Sequence, residues 1–591
     1  MEDIILEYVV FGVLMALNFG LGLYFSLRRK ARLARTTVEV FLGSRALRAL
    51  PLAASVVATI VSSAGMVGMT GHFYAYGFHL MWHALGAVAV APVAAHVFLP
   101  VMYGMRITSV FEYIRQRFNS AIALTACISY LFLTQSIGAL AIFAAGITID
   151  TVFGVPLVLC NIVIGLFGTL YTALGGLRGV VWTDCAQLIF MVFAPVTVIA
   201  KVIVDMNASH GIFQSVTDFD IRAYVGNFAL DFSHDETVWA SFFGCAATAI
   251  YRVGLDQAVV QRCMASRTLA EAQRTVQVGT FLLVTAYAVQ LFMSLALIFW
   301  FRGCDPQLRG AIASHDQILP FYVKTYLVQF RGFSGIFLAS IVSAASSTTS
   351  SIVNSQAAVL YVDVLSRHFK NLESNVRWTT RCIAFLLGAL MTSYSCVVVY
   401  MGSVTRLLIM VYGAATGPFV GLFILAIAFP FVHSKGAGIS TLFMLAVEIF
   451  ALWWSIHNGI KPPHMPVSID YCPDNNTVAS FGTNLTVSFS SNRSQRNTAP
   501  VSISPLWSSL LGMLATVLLG ILISVITGEH RQRHADVTHL SRCCVRFWRR
   551  LGVMESDESF SIKETEDGKG EPLTTKTLLP PLSEDKQEST V

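Results

Sequence analysis

The sequence predicts an all-α membrane protein of about 13 transmembrane helices, and three observations lead there. Of the 591 residues, 55% are hydrophobic and only 13% charged, whereas soluble domains carry about a quarter charged residues. Mean hydropathy is positive over the whole length. A single buried core stops growing near ~250–300 residues, so this much apolar surface has to meet lipid. Runs of about 20 largely apolar residues, the length that crosses a bilayer, also recur along the chain.

The candidate spans are α1, 4–26; α2, 50–75; α3, 78–102; α4, 121–148; α5, 152–175; α6, 180–204; α7, 237–261; α8, 274–301; α9, 333–360; α10, 378–401; α11, 404–431; α12, 435–457; and α13, 506–527. Residues 1–527 then form the membrane domain and 458–505 its largest outer loop. The remainder, 528–591, is a tail, polar and acidic beyond Met554 and expected to be disordered. The first apolar run follows Glu2 and Asp3 and is too long for a cleavable signal peptide. The eleven cysteines show no zinc-ligand spacing. The net charge of +6 comes from basic clusters beside apolar spans, which is a pattern of membrane orientation and not of nucleic-acid binding.

Lys/Arg bias orients the spans. Arg28, Arg29, Lys30, Arg32 and Arg35 follow α1, which places that loop in the cytoplasm and the N-terminus outside. By alternation the loops carrying Arg115 and Arg117, then Arg262, Arg267 and Arg274, then Arg367 and Lys370 are inside, as is the tail from Gly528. Asn207, Asn475, Asn484 and Asn492 each begin an N-x-S/T glycosylation sequon. All four fall in loops that the charge bias puts outside. This arrangement suits a multi-pass protein of the cell membrane. Cys304 and Cys472 also lie outside, where disulfides persist; they either pair or remain two free thiols.

Past α13, Arg542, Arg546, Arg549 and Arg550 surround Cys543 and Cys544. The cluster reads as simple positive-inside flanking, or as a surface for an anionic leaflet with acylated cysteines. The chain ends Ser589-Thr590-Val591, a hydroxyl two residues before a final valine, which suits strand addition to a PDZ domain.

No glycine loop ending in Gly-Lys-Ser/Thr, no H-E-x-x-H and no G-x-S-x-G stands out, so neither ATP drive nor hydrolytic catalysis is expected. An ion gradient is the remaining source of drive. In α2, Gly65, Gly68 and Gly71 with Ser62 and Ser63 weaken a helix at bilayer depth. Unwound backbone is tolerated there only inside protein or beside a water cavity, where its carbonyls bind cations and its amides anions. Small residues also serve close helix packing. In α9, Ser343, Ser346, Ser347, Thr348, Thr349, Ser350 and Ser351 place seven hydroxyls within nine residues. Ser347 and Thr348 lie three and four residues past Ala344 and share a face with its carbonyl. That face offers neutral oxygens to a hard monovalent ion, or else hydroxyls that bond their own helix and glue neighbours. In α7, Arg252 and Asp256 sit four apart in an apolar span and either neutralise each other or leave Arg252 for an anionic substrate. Asp184 shares a face with Gln187 near one end of α6, either drawing a departing cation or lying at the interface.

The run Gly175-Gly176-Leu177-Arg178-Gly179-Val180-Val181-Trp182-Thr183-Asp184-x-x-Gln187 resembles the signature of the sodium/solute symporter family, as does the hydroxyl-rich α9. The chain is similar, more narrowly, to the branch of sodium-coupled monocarboxylate, multivitamin and iodide transporters. Further similar stretches are Phe98-Leu-Pro-Val, Ile107-Thr-Ser-Val-Phe-Glu-Tyr, Gln257-x-x-x-Gln261-Arg262-Cys263, Cys304-Asp305-Pro306, and Gly417-Pro418 through Phe429-Pro430-Phe431. The likeness runs from about Glu7 to Thr527.

The resemblance implies the inverted-repeat (5+5) leucine-transporter-type fold with extra helices. Its halves would be α2–α6, about 50–205, and α7–α11, about 237–431. It implies a sodium site between α2 and α9, held by the carbonyls of Ala58, Val61 and Ala344 and the hydroxyls of Ser347 and Thr348. It further implies Asp184 on the inner sodium path and a Cys304–Cys472 bridge. Two departures stand out. Gly65 takes the place of a side chain that lines the branch's substrate cavity, and Tyr251-Arg252 precedes Val253-Gly254 where an aromatic-glycine pair is usual.

The sequence is therefore expected to encode a sodium symporter, not an enzyme, with no cofactor beyond the co-transported sodium. It would import a small organic anion, a monocarboxylate or a vitamin such as biotin or pantothenate, bound near Ser62, Ser63, Gly65, Gly68, Tyr251 and Arg252. The rival expectations are a sodium symporter for a sugar, amino acid, choline or iodide, and a channel or solute sensor that does not cycle.

Overall fold

The computed structural model of the chain describes residues 2–27, 37–208, 221–327, 330–368, 376–458, 464–470, 472, 503–531 and 536–554. Among them every regular element is helical. The chain divides into a unit from Met1 to Cys544 and a unit from Val545 to Val591. The second is described only through Met554 and holds the end of the basic helix Arg542–Arg550. Asn475, Asn484, Asn492, the five basic residues between Arg28 and Arg35, Lys370 and Ser589–Val591 lie outside the described residues. Asn207 falls at the end of α6, and only its backbone is described.

Each expected span has a helical counterpart. α1 is Glu2–Leu27, and α2 is a pair, Ala49–Ile60 and Ala64–Tyr76, bent by 55°. α3 is His79–Gly104, α4 Ser120–Phe153, α8 Leu269–Phe301 and α9 Phe333–Leu365. α10 to α13 are Val376–Val398, Val404–Ala428, Ser434–Asn458 and Pro505–Ile526. α5 and α6 form one helical run, Leu157–Ala208, interrupted at Gly176 (φ 60°, ψ −177°). That backbone conformation is open to glycine and almost nothing else. α7 is interrupted too: helical turns through Leu255 stop at Asp256, whose extended backbone and side chain cap a second helix, Gln257–Met264.

Burial sorts the helices into a centre and a rim. Nearly every residue of α9 from Phe333 to Val359 is buried, although ten carry hydroxyls, so its partners must be protein. α1 and α12 instead expose large apolar side chains, among them Val9, Val13, Leu17, Phe443, Ile449 and Phe450. Apolar surface on a long apolar helix is what lipid solvates at no cost. The rim is nonetheless tied to the centre. The Glu7 carboxylate accepts the N–H groups of Gly332 (2.7 Å) and Gly335 (2.6 Å), satisfying the first turn of α9. Asn18 donates to Ser343 (3.0 Å) and accepts from Gln187 (2.9 Å), joining α1, α9 and α6.

Two of the cations counted for orientation are buried and not solvated. Arg262 has no exposure and sits inside the second helix of α7. Arg117 is buried, donating to the carbonyls of Ala426 (3.1 Å), Phe429 (2.8 Å) and Val432 (2.9 Å) at the end of α11. Both are structural donors, so neither counts toward orientation. Cys304 and Cys472 are bonded to each other, with their Cα atoms 4.9 Å apart. The bridge ties Cys472 to the segment that follows α8, and Met465 N–H bonds Ala75 C=O (2.7 Å) at the end of α2.

Candidate ion and solute site

The break in α2 follows from where its N–H groups go. In a continuous helix Ser62 N–H would bond Ala58 C=O, and Gly65 N–H would bond Val61 C=O. Here Ser62 N–H bonds Ile60 C=O (3.0 Å) and Gly65 N–H bonds the Ser62 hydroxyl (3.1 Å). Val61 itself leaves the helical region, with ψ at 82°. The carbonyls of Ala58 and Val61 thus lose the donors a helix would aim at them. These are two of the oxygens the resemblance assigns to sodium.

The other residues the resemblance assigns to sodium stand on α9, which crosses α2 at this level. Thr348 Oγ1 donates to Thr59 C=O (3.2 Å), and Thr59 Oγ1 donates to Ser351 Oγ (2.8 Å). Ser347 Oγ donates to Asp184 Oδ1 (2.7 Å). A hydroxyl that donates its hydrogen keeps two lone pairs, so both oxygens remain able to face a cation. Ala58, Ala344, Ser347 and Thr348 are all buried, and Val61 lines an adjacent cavity.

Asp184 is not an interfacial carboxylate, because its exposure is zero. Ser55 Oγ (2.6 Å) and Arg262 Nη2 (3.0 Å) meet its Oδ2 while Ser347 holds its Oδ1. Arg262 also donates to Ser55 Oγ (2.7 Å), Ser351 Oγ (2.5 Å) and Ala258 C=O (2.6 Å). A single carboxylate therefore links α2, α6, α7 and α9. Sequence reasoning missed this cluster because Arg262 reads as one more basic residue in a loop; its place four positions past Ala258 in an apolar stretch was the available signal.

Beside the break lies a cavity of about 160 Å³ lined by Ile60, Val61, Ser62, Gly65, Thr248, Arg252 and Tyr412 among others. Its wall is mostly apolar, and Arg252 is its only Lys, Arg, Asp or Glu. Arg252 Nη1 pairs with Asp256 (3.1 Å), Nη2 donates to Ile60 C=O (3.3 Å), and the guanidinium stands 5.7 Å from the Tyr412 ring. So the two residues do pair, and the arginine still faces the cavity. Of the expected solute contacts, Ser62, Gly65 and Arg252 line this space, and Ser63, Gly68 and Tyr251 do not. Ser63 Oγ donates to Ala141 C=O on α4 (2.6 Å). Gly68 lets α2 approach α11, where a Cβ would come within 2.7 Å of Thr405 Oγ1. Tyr251 is fully buried against Phe419. Each belongs to helix packing, the alternative reading already given for the small residues of α2.

The sequence pattern of the Sodium:solute symporter family matches residues 40–443. The chain is 30% identical to sodium-coupled monocarboxylate transporter 1 of Mus musculus, over 90% of this chain and 88% of that protein. It is 29% identical to sodium-coupled monocarboxylate transporter 2 of Homo sapiens, over 90% and 85%. With the sodium-dependent multivitamin transporter of Oryctolagus cuniculus it shares 28%, over 90% and 83%. Among solved structures, the substrate-bound outward-open state of a Na+-coupled sialic acid symporter superposes with a TM-score of 0.70. It is 19% identical in sequence and covers 90% of this chain and 99% of that one. The likeness is one of fold.

Proposed function

The chain belongs to the sodium:solute symporter family and is a sodium-coupled symporter, not an enzyme; on that premise we propose that it imports a small organic anion, a monocarboxylate or an anionic vitamin, across the cell membrane. Sodium enters from outside and settles between the α2 break and α9, on the carbonyls of Ala58, Val61 and Ala344 and the hydroxyls of Ser347 and Thr348. Bridging α2 to α9, the ion favours the conformation open to the outside. The anion then binds beside the break with its carboxylate toward Arg252. Rocking of one helix bundle against the other exposes both to the cytoplasm, and Asp184, one hydrogen bond from Ser347, draws the sodium inward. The repeats α2–α6 and α7–α11 would supply the moving halves, with the N-terminus outside and the tail inside. One sodium entering with one monovalent anion moves no net charge, so the sodium concentration gradient drives that cycle; any further sodium carried would add about 2.3 kcal/mol per 100 mV.

The observation that carries the anion reading is Arg252, a guanidinium in the wall of an apolar cavity at the α2 break. The named relatives point to the same substrate class. The Arg252–Asp256 pair supports a second reading, a sodium symporter for a neutral solute, because it leaves the cavity without net charge. A radiolabelled uptake panel in oocytes, with and without sodium, separates them: lactate, nicotinate, biotin and pantothenate should accumulate with sodium, and glucose and choline should not. No sodium-dependent uptake of any acid would overturn the anion reading.

A further inference from the structure

A second cavity, about 210 Å³, adjoins the first between α2, α3 and α8, and the two share Met69, His83, Tyr287 and Gln290 as a common wall. The face of α2 runs through both. Ser62, Gly65 and Met69 border the first, and Met69 and Phe73 border the second. These positions are three or four residues apart and so lie along one side of the helix. From Gly65 to Phe73 is eight residues, roughly 12 Å of helix.

The second cavity is apolar in effect as well as in name. Phe73, Met81, Trp82, Leu85 and Leu291 form much of it. Three of its polar atoms are already engaged by protein. Trp82 Nε1 donates to Val225 C=O (2.8 Å), and His83 Nδ1 meets Leu80 C=O (2.5 Å). Gln290 Nε2 is held by Met66 C=O (2.8 Å) and by Thr70. Methionines at such a surface adapt to tails of varied shape. Met69 stands between the two cavities, on the same side of α2 as Gly65. A Cβ built on Gly65 meets nothing nearer than Ser62 Oγ at 3.8 Å, so the absent side chain leaves the first cavity open on its approach to Met69 and is not a packing need.

Resting on the anion reading above, we infer that the substrate is an amphipathic monocarboxylate. Its carboxylate lies at Arg252 and its medium-length alkyl or aryl-alkyl tail passes Gly65 and Met69 into the Phe73–Trp82–Leu291 chamber. Gly65 sets the bore. A side chain there would project into the path of the tail and favour acids too short to reach it.

The test is sodium-dependent uptake of the straight-chain acids from propionate to decanoate by the full-length protein, in the wild type and in Gly65→Leu and Phe73→Ser. Each buried methylene contributes up to roughly fourfold in affinity. Wild-type KM should therefore fall steadily to octanoate or beyond, and the octanoate-to-butyrate ratio of kcat/KM should drop at least tenfold in either variant. A wild-type KM that is flat or rises beyond butyrate, with sodium-dependent butyrate uptake intact, overturns the tail chamber while leaving the anion reading standing. A ratio unchanged in both variants overturns it equally. Loss of uptake for every acid in the wild type overturns the anion reading and this inference with it.

Discussion

Arg262 Nη2 stands 3.0 Å from Asp184 Oδ2, and both side chains are buried. Ser55 and Ser347 complete the carboxylate's shell. Removing one member of a buried pair strands the other charge, at a cost of about 3–5 kcal/mol. Arg262→Gln should sharply lower the thermal stability of the purified protein in detergent. Asp184→Asn combined with Arg262→Gln should recover part of that loss. Equal stability of Arg262→Gln and wild type would show that the carboxylate does not depend on the arginine.

Arg252 separates the anion reading from the neutral one. A hydrogen bond to a charged group contributes about 1.5–3 kcal/mol. Arg252→Gln should therefore raise KM for a transported monocarboxylate by at least about tenfold. Carriage of a neutral solute would show no such rise, and initial-rate uptake across substrate concentrations reads the difference.

Asp316 sits in the loop between α8 and α9, where its carboxylate accepts Val404 N–H (3.0 Å) and Ser403 Oγ–H (3.3 Å) at the start of α11. Burial raises its pKa from 3.8 to about 6, against the lowering by those two donors. The folded protein therefore holds the proton that the unfolded chain has already lost. This contribution to stability is greatest below pH 4 and is lost as pH rises through about 6. Between pH 7.5 and pH 5.5 the gain on acidification should be roughly 0.8 kcal/mol. Asp316→Asn should remove it, as read from melting temperature at the two pH values.

How much of this was legible in the sequence depends on what each residue has to do. Length and hydropathy located a helical counterpart for each expected span, because lipid allows few alternatives to a helix of about 20 residues; among the described residues ten are long and apolar enough to cross a membrane, or eleven with the bent α2 pair. The hydroxyls of α9 and the glycines of α2 marked the break and its partner, since neither pattern serves a lipid-facing helix. Gly176 and Asp256 were less readable as interruptions, because one residue with altered backbone hardly changes a hydropathy run. Ser63, Gly68 and Tyr251 belong to packing and not to the cavity, which depends on which way each faces after the 55° bend. Arg117 and Arg262 misled for a related reason: charge at a span's edge looks the same whether it meets water or caps buried carbonyls.

The Cys304–Cys472 bridge spans 168 residues. Removing a native disulfide costs about 2–5 kcal/mol. Cys304→Ser and Cys472→Ser should each lower the melting temperature, and the double variant should be no worse than either single one. A loss in the double variant equal to the sum of the two singles would contradict a shared bond.

The central claim is that sodium binds where the α2 break meets α9. It is tested most directly by the sodium concentration that half-saturates uptake, in wild type, Ser347→Ala, Thr348→Ala and Thr348→Ser. Loss of one liganding hydroxyl should raise that concentration roughly tenfold or more in the alanine variants, and Thr348→Ser, which keeps its oxygen, should stay near wild type. Alanine variants with unchanged sodium dependence would place the ion elsewhere and contradict the account.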